Sequence, residues 1–404
     1  MALTAVPAES AVPVERGMTK PVNVKEQLTL TFVVTKECNF RCRYCYMVHK
    51  NNKSRMAFEI AKSAIDYLVE NPDQFPQTYL VCEFIGGEPL LEIDLIEQIC
   101  NYIKLKTWEH NHPWFTTLMF SLSTNGALYD QPKVQALLNR YKSCFDMGIT
   151  IDGPAHVHDL ERQFPDGQGT HAAVVKNIPL WLSRTTKPST KVTISHDNLP
   201  FLAESVLYLF SLGIPVVNAN VVFENVWQPG DDVLLETQLD ILGDTMLEQE
   251  LWRKHECSFF NRIIGDPLAP ENDNNWCGAG RYMLAVDDKG LFYPCVRFTD
   301  FSLTSQPAFV IGDMERGIDW DKLTPFYELN RSCQSTCECM DCEVASGCAW
   351  CQGFNYDDSG MLAHRATYIC KMHKARVSAN KRFWARLDKT LANGESQWKQ
   401  AAAK

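Results

Sequence analysis

Three things are missing from this 404-residue chain, and each absence excludes a class of protein. No apolar run approaches the roughly 20 residues that a membrane-crossing helix needs. The opening stretch, MALTAVPAESAVPVERGMTKPVNV, lacks the basic-then-apolar order of a secretory signal. Positive charge is short as well. The 39 Lys and Arg against 49 Asp and Glu leave a net charge of −10, whereas phosphate binding needs a basic face. The expectation is a cytoplasmic protein with neither a membrane nor a nucleic-acid partner. The Pro- and Ala-rich residues 1–27 read as a flexible arm.

Cysteine, by contrast, is abundant. Sixteen cysteines in a long chain without a signal do not suit a secreted disulfide scaffold, which is usually short. In a reducing compartment, clustered cysteines more often hold metals. Ten of the sixteen fall between residues 257 and 370, and three crowd into KECNFRCRYCYM, residues 36–47.

From residue 28 the pattern alternates strand and helix. LTLTFVVT (28–35), TYLVCEFI (78–85), FTTLMFSLS (115–123), FDMGITI (145–151), KVTIS (191–195) and PVVNANVVF (215–223) read as short, largely apolar strands suited to a covered parallel sheet. Amphipathic helical patterns separate them, as in MAFEIAKSAIDYLVE (56–70). Six such units predict an α/β fold, a partial (β/α)6 TIM-like barrel over residues 28–254. An irregular cysteine-rich domain (255–374) and a C-terminal helix or tail (375–404) follow. Barrel chemistry sits at the C-terminal ends of the strands. There the chain places the first cysteines, then GGEP (86–89), STNG (123–126) and DGP (152–154). Four polar or glycine-rich features thus converge on one rim.

Cys38, Cys42 and Cys45 have the spacing C-x3-C-x2-C. Thiolates select zinc, Cu(I) or iron–sulfur clusters. A structural zinc site takes four ligands, commonly from two C-x2-C pairs. Three cysteines in one loop suit a four-iron cluster with one iron open, and spacing alone leaves zinc as the alternative. With Tyr44 before the third cysteine and GGEP on the next strand end, the loop resembles the radical S-adenosylmethionine (SAM) superfamily over residues 28–230. The resemblance implies that the open iron binds the methionine part of SAM and that Tyr44 lies against adenine. It also implies that Gly86 and Gly87 allow close approach of the methionine and that Glu88 accepts from its ammonium group. Ser123 and Asn125 become ribose or carboxylate contacts, Ser195 a further SAM contact, and Asp152 a substrate contact.

The second half carries Cys277, Gly290 and Cys295 as C-x12-G-x4-C, then Cys339, Cys342, Cys348 and Cys351 as C-x2-C-x5-C-x2-C, then Cys370. This resembles the SPASM extension of radical SAM enzymes, which holds two auxiliary clusters, though the family more often has x3 before the last of the four. The likeness assigns Cys339, Cys342, Cys348 and Cys370 to an outer cluster and Cys277, Cys295 and Cys351 to an inner one. The inner cluster's fourth ligand is either Cys257 or an open position. In all, three [4Fe-4S] clusters and SAM are implied. Cys333 and Cys337 stand outside the scheme, and Cys82, Cys100 and Cys144 read as buried, apolar-like residues.

Such enzymes typically modify peptides or proteins. CEVASGCAWCQGFNY (342–356) and YICKMHKARVSAN (368–380) are similar to a peptide-maturase group whose targets repeat Cys-x-x-x. The expected activity is thioether or carbon–carbon cross-linking in a ribosomally synthesised, post-translationally modified peptide. An alternative is sulfatase maturation, oxidising Ser or Cys to formylglycine; that family places an Asp after the cysteine of G-x4-C, where this chain has Val296. A non-enzymatic iron–sulfur or zinc sensor is the reading from another class, and such a sensor has no use for GGEP on the rim. The implied partners are a precursor peptide and a flavodoxin- or ferredoxin-type electron donor. With only 27 residues before the first strand, leader recognition is expected to be by a separate leader-binding protein, rudimentary, or made by the barrel and the C-terminal helix.

Overall fold

The computed structural model describes residues 26–50, 52–185, 188–273, 277–348 and 350–401. All but the last two residues of the expected N-terminal arm lie outside them. Four parallel strands run in sequence order: β1 (Gln27–Thr35), β2 (Tyr79–Gly86), β3 (Leu118–Thr124) and β4 (Phe145–Ile149). A single bridge, Thr150 to Lys191, leads on to β5 (Ser189–Ile194), which pairs in parallel with β6 (Val216–Val221). All six expected strands form. The third starts later than expected, because Trp114–Thr117 makes a helical turn: Pro113 sets its start, and the Trp114 indole donates to the Gln77 carbonyl at 2.7 Å.

The barrel does not close. Beyond β1 lies β7 (Met283–Val286), a parallel strand from the cysteine-rich region, extended by antiparallel β8 (Leu291–Tyr293). The sheet therefore runs from the barrel into the second half of the chain. Outside the strands pack α1 (Phe58–Glu70) and α2 (Ile93–Glu109). Between them and the sheet lies a continuous core. Phe32, Phe84, Phe120 and Phe145 form a row across neighbouring strands, with successive ring centroids 5.8–6.4 Å apart. Cys82 and Cys100 are wholly buried in that core, as their apolar positions predict.

Buried ion pairs link the two halves. Lys36, just after β1, is 3% exposed and meets Asp288 at 3.1 Å and Asp300 at 3.3 Å. The chain ends in α3 (Cys370–Ala401), which packs along α4 (Asp231–Glu248). Phe383 of α3 stacks on Phe260, centroids 4.3 Å apart, with both rings buried. Arg382 pairs with Asp240 at 2.7 Å on the exposed side, where an ion pair contributes little. Docking of α3 thus rests on its apolar face. Phe383→Ala should cost about 3–5 kcal/mol in anaerobic denaturant unfolding, while Leu391→Ala, 40% exposed, should stay within about 0.5 kcal/mol.

Candidate active site

The cysteine loop begins where β1 leaves the sheet, and backbone contacts hold it down. Gly87 N–H donates to the Thr35 carbonyl (3.0 Å), and Glu88 N–H to the Glu37 carbonyl (2.9 Å). A Cβ on Gly86 would stand 2.4 Å from Thr35 O, and one on Gly87 would stand 2.2 Å from Glu37 O. Only glycine permits this approach. The resemblance assigns these glycines to methionine; the close approach made within the chain is to the cysteine loop.

Glu88 is 1% exposed and ties three segments together. Its Oε1 accepts from Leu90 N–H (3.0 Å) and the Thr124 hydroxyl (2.7 Å), and its Oε2 from Asn125 N–H (2.8 Å). One Oε2 lone pair remains for a ligand. The Asn125 side chain donates to Asn39 Oδ1 at 2.7 Å, so the third strand end also grips the cysteine loop. Ser123 Oγ accepts from Lys191 Nζ at 3.0 Å.

The other side of the loop meets a buried polar network. The Tyr44 hydroxyl donates to Asp152, and Arg162 Nη1 donates to the Tyr44 oxygen at 2.7 Å. Asp152 is fully buried and also accepts from Thr193 N–H (3.2 Å). Its carboxylate is therefore engaged behind Tyr44 and does not line the cavity beside the cysteines. His158 Nδ1 accepts from Asp152 N–H (3.2 Å), which fixes the tautomer with Nε2–H facing Thr170 Oγ1 (3.0 Å). Burial first, then Arg162 and His171, hold the pKa of this imidazole down to about 2. Ser195 turns away from the cysteines, its hydroxyl donating to Glu161 at 2.7 Å.

Cys38, Cys42 and Cys45 face a cavity of about 330 Å³ lined also by Tyr44, Gly86, Gly87, Glu88, Ser123 and Asn125. Burial pushes the Cys38 thiol up to about 11 and raises Cys42; Lys50 opposes this at Cys38, as Arg162 and then Lys50 do at Cys42. A metal centre would be needed to make these buried thiols thiolates. Three soft thiolate donors on one loop, with no fourth cysteine in the lining of this cavity, suit an iron–sulfur cluster with one open iron.

In the second half, Cys277, Cys295 and Cys351 are close enough to perturb one another. Cys257 is elsewhere, itself buried in a two-residue strand beside β6, where Phe259 and Arg376 are its electrostatic neighbours. Cys339, Cys342, Cys348 and Cys370 enclose a small cavity together with Arg365, His373 and Lys374. Cys333 and Cys337 are exposed. A second cavity, about 620 Å³, shares Tyr44, Cys45, Tyr46, Val222, Glu224 and Arg297 with the first as a common wall, and Ser195 lines it. In that wall Arg297 lies over the Tyr46 ring (4.9 Å) and donates to Glu224 (2.9 Å). Sequence reasoning missed Lys50, Arg162, Arg297 and Arg365, since none belongs to a spaced motif; only Arg297, two residues after Cys295, stands near one.

Two outcomes follow from this geometry. Gly87→Ala should lose about 1–3 kcal/mol, because the conflict is with backbone rather than a movable side chain. Below pH about 6.5 the unfolded chain takes up a proton that folded His158 refuses, so stability falls as pH falls. From pH 6.5 to 5 this residue alone should remove about 2 kcal/mol. The pH dependence of unfolding in His158→Gln should be shallower by that amount; buried Glu88 and Asp152, whose pKa values burial raises, act in the opposite sense in both proteins.

Residues 32–196 match the family model described as the radical SAM superfamily. An uncharacterized protein of Methanocaldococcus jannaschii is 31% identical over 189 residues, 47% of this chain and 60% of that one. The radical SAM cyclopropyl synthase TigE of Paramaledivibacter caminithermalis is 23% identical over 387 residues, 90% of this chain and 76% of that one. The chain spans 60% and 40% of the length of the first two curated relatives it matches. Among solved structures, native anSMEcpe with bound AdoMet and Cp18Cys peptide superposes with a TM-score of 0.65 at 18% identity, covering 91% of this chain and 99% of that one. Streptococcus suis SuiB bound to precursor peptide SuiA gives 0.58 at 13% identity, covering 86% and 76%. The fold is shared with both, and residues 32–196 form a domain that matches the radical SAM superfamily.

Proposed function

We propose that the chain is a radical SAM enzyme acting on a peptide, and that it installs thioether or carbon–carbon cross-links in a ribosomally made precursor. The observation that carries this reading is the cavity of about 620 Å³ set beside the pocket of Cys38, Cys42 and Cys45, with Tyr46 and Arg297 in the wall common to both. An extended peptide could lay one side chain beside the cysteine loop and run on along the wall of Arg297, Gly353 and Phe354. The structural neighbours anSMEcpe and SuiB have each been solved with a bound peptide, which supports that substrate class.

Cys38, Cys42 and Cys45 would hold the cluster, and Tyr44, Gly86, Gly87, Glu88, Ser123 and Asn125 would surround SAM. When bound, cluster and SAM supply reductive cleavage to methionine and a 5′-deoxyadenosyl radical that abstracts hydrogen from the substrate. The chain's own part is orientation. Asp152 and Arg162 fix the Tyr44 ring, Glu88 offers its last lone pair to an ammonium group, and Lys50 and Arg162 oppose the negative charge of the thiolates. Hydrogen abstraction needs near-contact placement, and these fixed walls would provide it.

Val296 packs against the small apolar cluster of Val33, Met47 and Phe301. No proton acceptor stands at that position, which favours cross-linking over formylglycine formation. The auxiliary cysteines would hold two further clusters, with a flavodoxin- or ferredoxin-type protein as electron donor.

Anaerobic reconstitution should yield about twelve irons per chain, three four-iron clusters. 5′-Deoxyadenosine formation should stop in a Cys42→Ala/Cys45→Ala variant. Zinc in place of iron, with no SAM cleavage, would overturn the reading. Co-expression with a Cys-repeat precursor peptide should lower the peptide mass by about 2 Da, two hydrogens, per cross-link; an unmodified mass would sink the cross-linking assignment.

A further inference from the structure

Arg365 is not a ligand, yet it is built into the site of the outer four cysteines. Its Nη2 donates to Cys348 Sγ at 2.8 Å. Its guanidinium lies over the Trp350 ring, 4.1 Å from the centroid. The segment that carries it is pinned, with Ala366 N–H donating to Asn355 Oδ1 (3.1 Å). Nearby, the His373 ring bonds the Val344 carbonyl (2.6 Å) on the other wall. A planar cation stacked on an indole keeps its donor in one direction, which lysine cannot imitate.

Arg297 stands beside the inner three cysteines. Arg297 donates to Glu224 at 2.9 Å, so a carboxylate balances its charge. The partners of Arg365 are a sulfur and an aromatic face. Its charge therefore acts on the thiolates. Hydrogen bonds to ligand sulfur and nearby positive charge favour the more negative, reduced form of a cluster and so raise its reduction potential.

We propose that Arg365 is a positioning residue that sets the reduction potential of the outer cluster, holding it above the value the four thiolates alone would give. This rests on the reading that Cys339, Cys342, Cys348 and Cys370 bind a four-iron cluster. The test uses the full reconstituted chain and its Arg365→Gln, Arg365→Lys and Trp350→Ala variants. Iron content is measured beside a redox titration followed by electron paramagnetic resonance. All four proteins should hold about twelve irons. One midpoint potential should fall in Arg365→Gln, fall less in Arg365→Lys and Trp350→Ala, and leave the other two unmoved. An unchanged midpoint in iron-replete Arg365→Gln overturns the inference. So does loss of about four irons from both Arg365 variants, which would make the residue merely structural. A wild-type protein with only two clusters overturns the underlying reading itself, before any variant is compared.

Discussion

The strand ends that carry the first cysteine loop depend on one buried carboxylate. Glu88 accepts from Leu90, Thr124 and Asn125, and its own backbone N–H reaches Glu37 in the cysteine loop. Hydrogen bonds to a carboxylate favour its charged form and oppose the rise in pKa that burial causes at Glu88. The consequence is geometric. The ends of three strands are fastened to one another, so the cysteine loop, GGEP and STNG cannot drift apart. The glycines before Glu88 serve the same end by letting the loop lie on the strand without a Cβ between them.

Charge is distributed in a matching way. The chain as a whole is acidic, with net charge −10, yet the described cysteine groups each have a cation beside them. Arg162 and Lys50 stand near the first, Arg297 near the second and Arg365 near the third. Thiolates gathered out of water repel one another and are poorly solvated. A nearby guanidinium lowers both penalties, because it stays protonated under any relevant condition. Three of these four cations are arginines, in keeping with that need.

The cysteines and the six strands were legible because both are periodic or spaced features: thiolate ligands need fixed separations, and buried strands need apolar runs. The helical turn at Trp114–Thr117 was not, since a short apolar segment fits strand and helix equally until Pro113 and the Trp114 indole find their places. Nor was β7, which has only four residues and earns its place beside β1 through a pairing some 250 positions away in sequence. Site residues divide in the same manner. Glu88 and Asn125 could be found from their position at strand ends, but their bonds go first to the protein. Asp152 lies on the expected rim, yet Tyr44 covers it. Ser195 points into the outer cavity, and Cys257 stays with β6 rather than with the inner cysteines. Arg162 belongs to no motif, and folding alone brings it to the loop.

The wall common to the two cavities has a further requirement. Tyr46 comes from the cysteine loop, Glu224 from the segment after β6, and Arg297 from the cysteine-rich half. No one of these elements forms that wall alone. It exists only when the second half is docked on the barrel, and that docking is set by the β1–β7 pairing and by Lys36 between Asp288 and Asp300. A lysine that is 3% exposed tolerates little displacement of its partners, because an unpaired buried charge costs about 3–5 kcal/mol. Lys36 is also two residues from Cys38, so the register that sets the first cysteine loop is the same register that places Arg297 over Tyr46. The geometry of that wall and that of the cysteine loop are thereby one constraint, fixed at the end of β1.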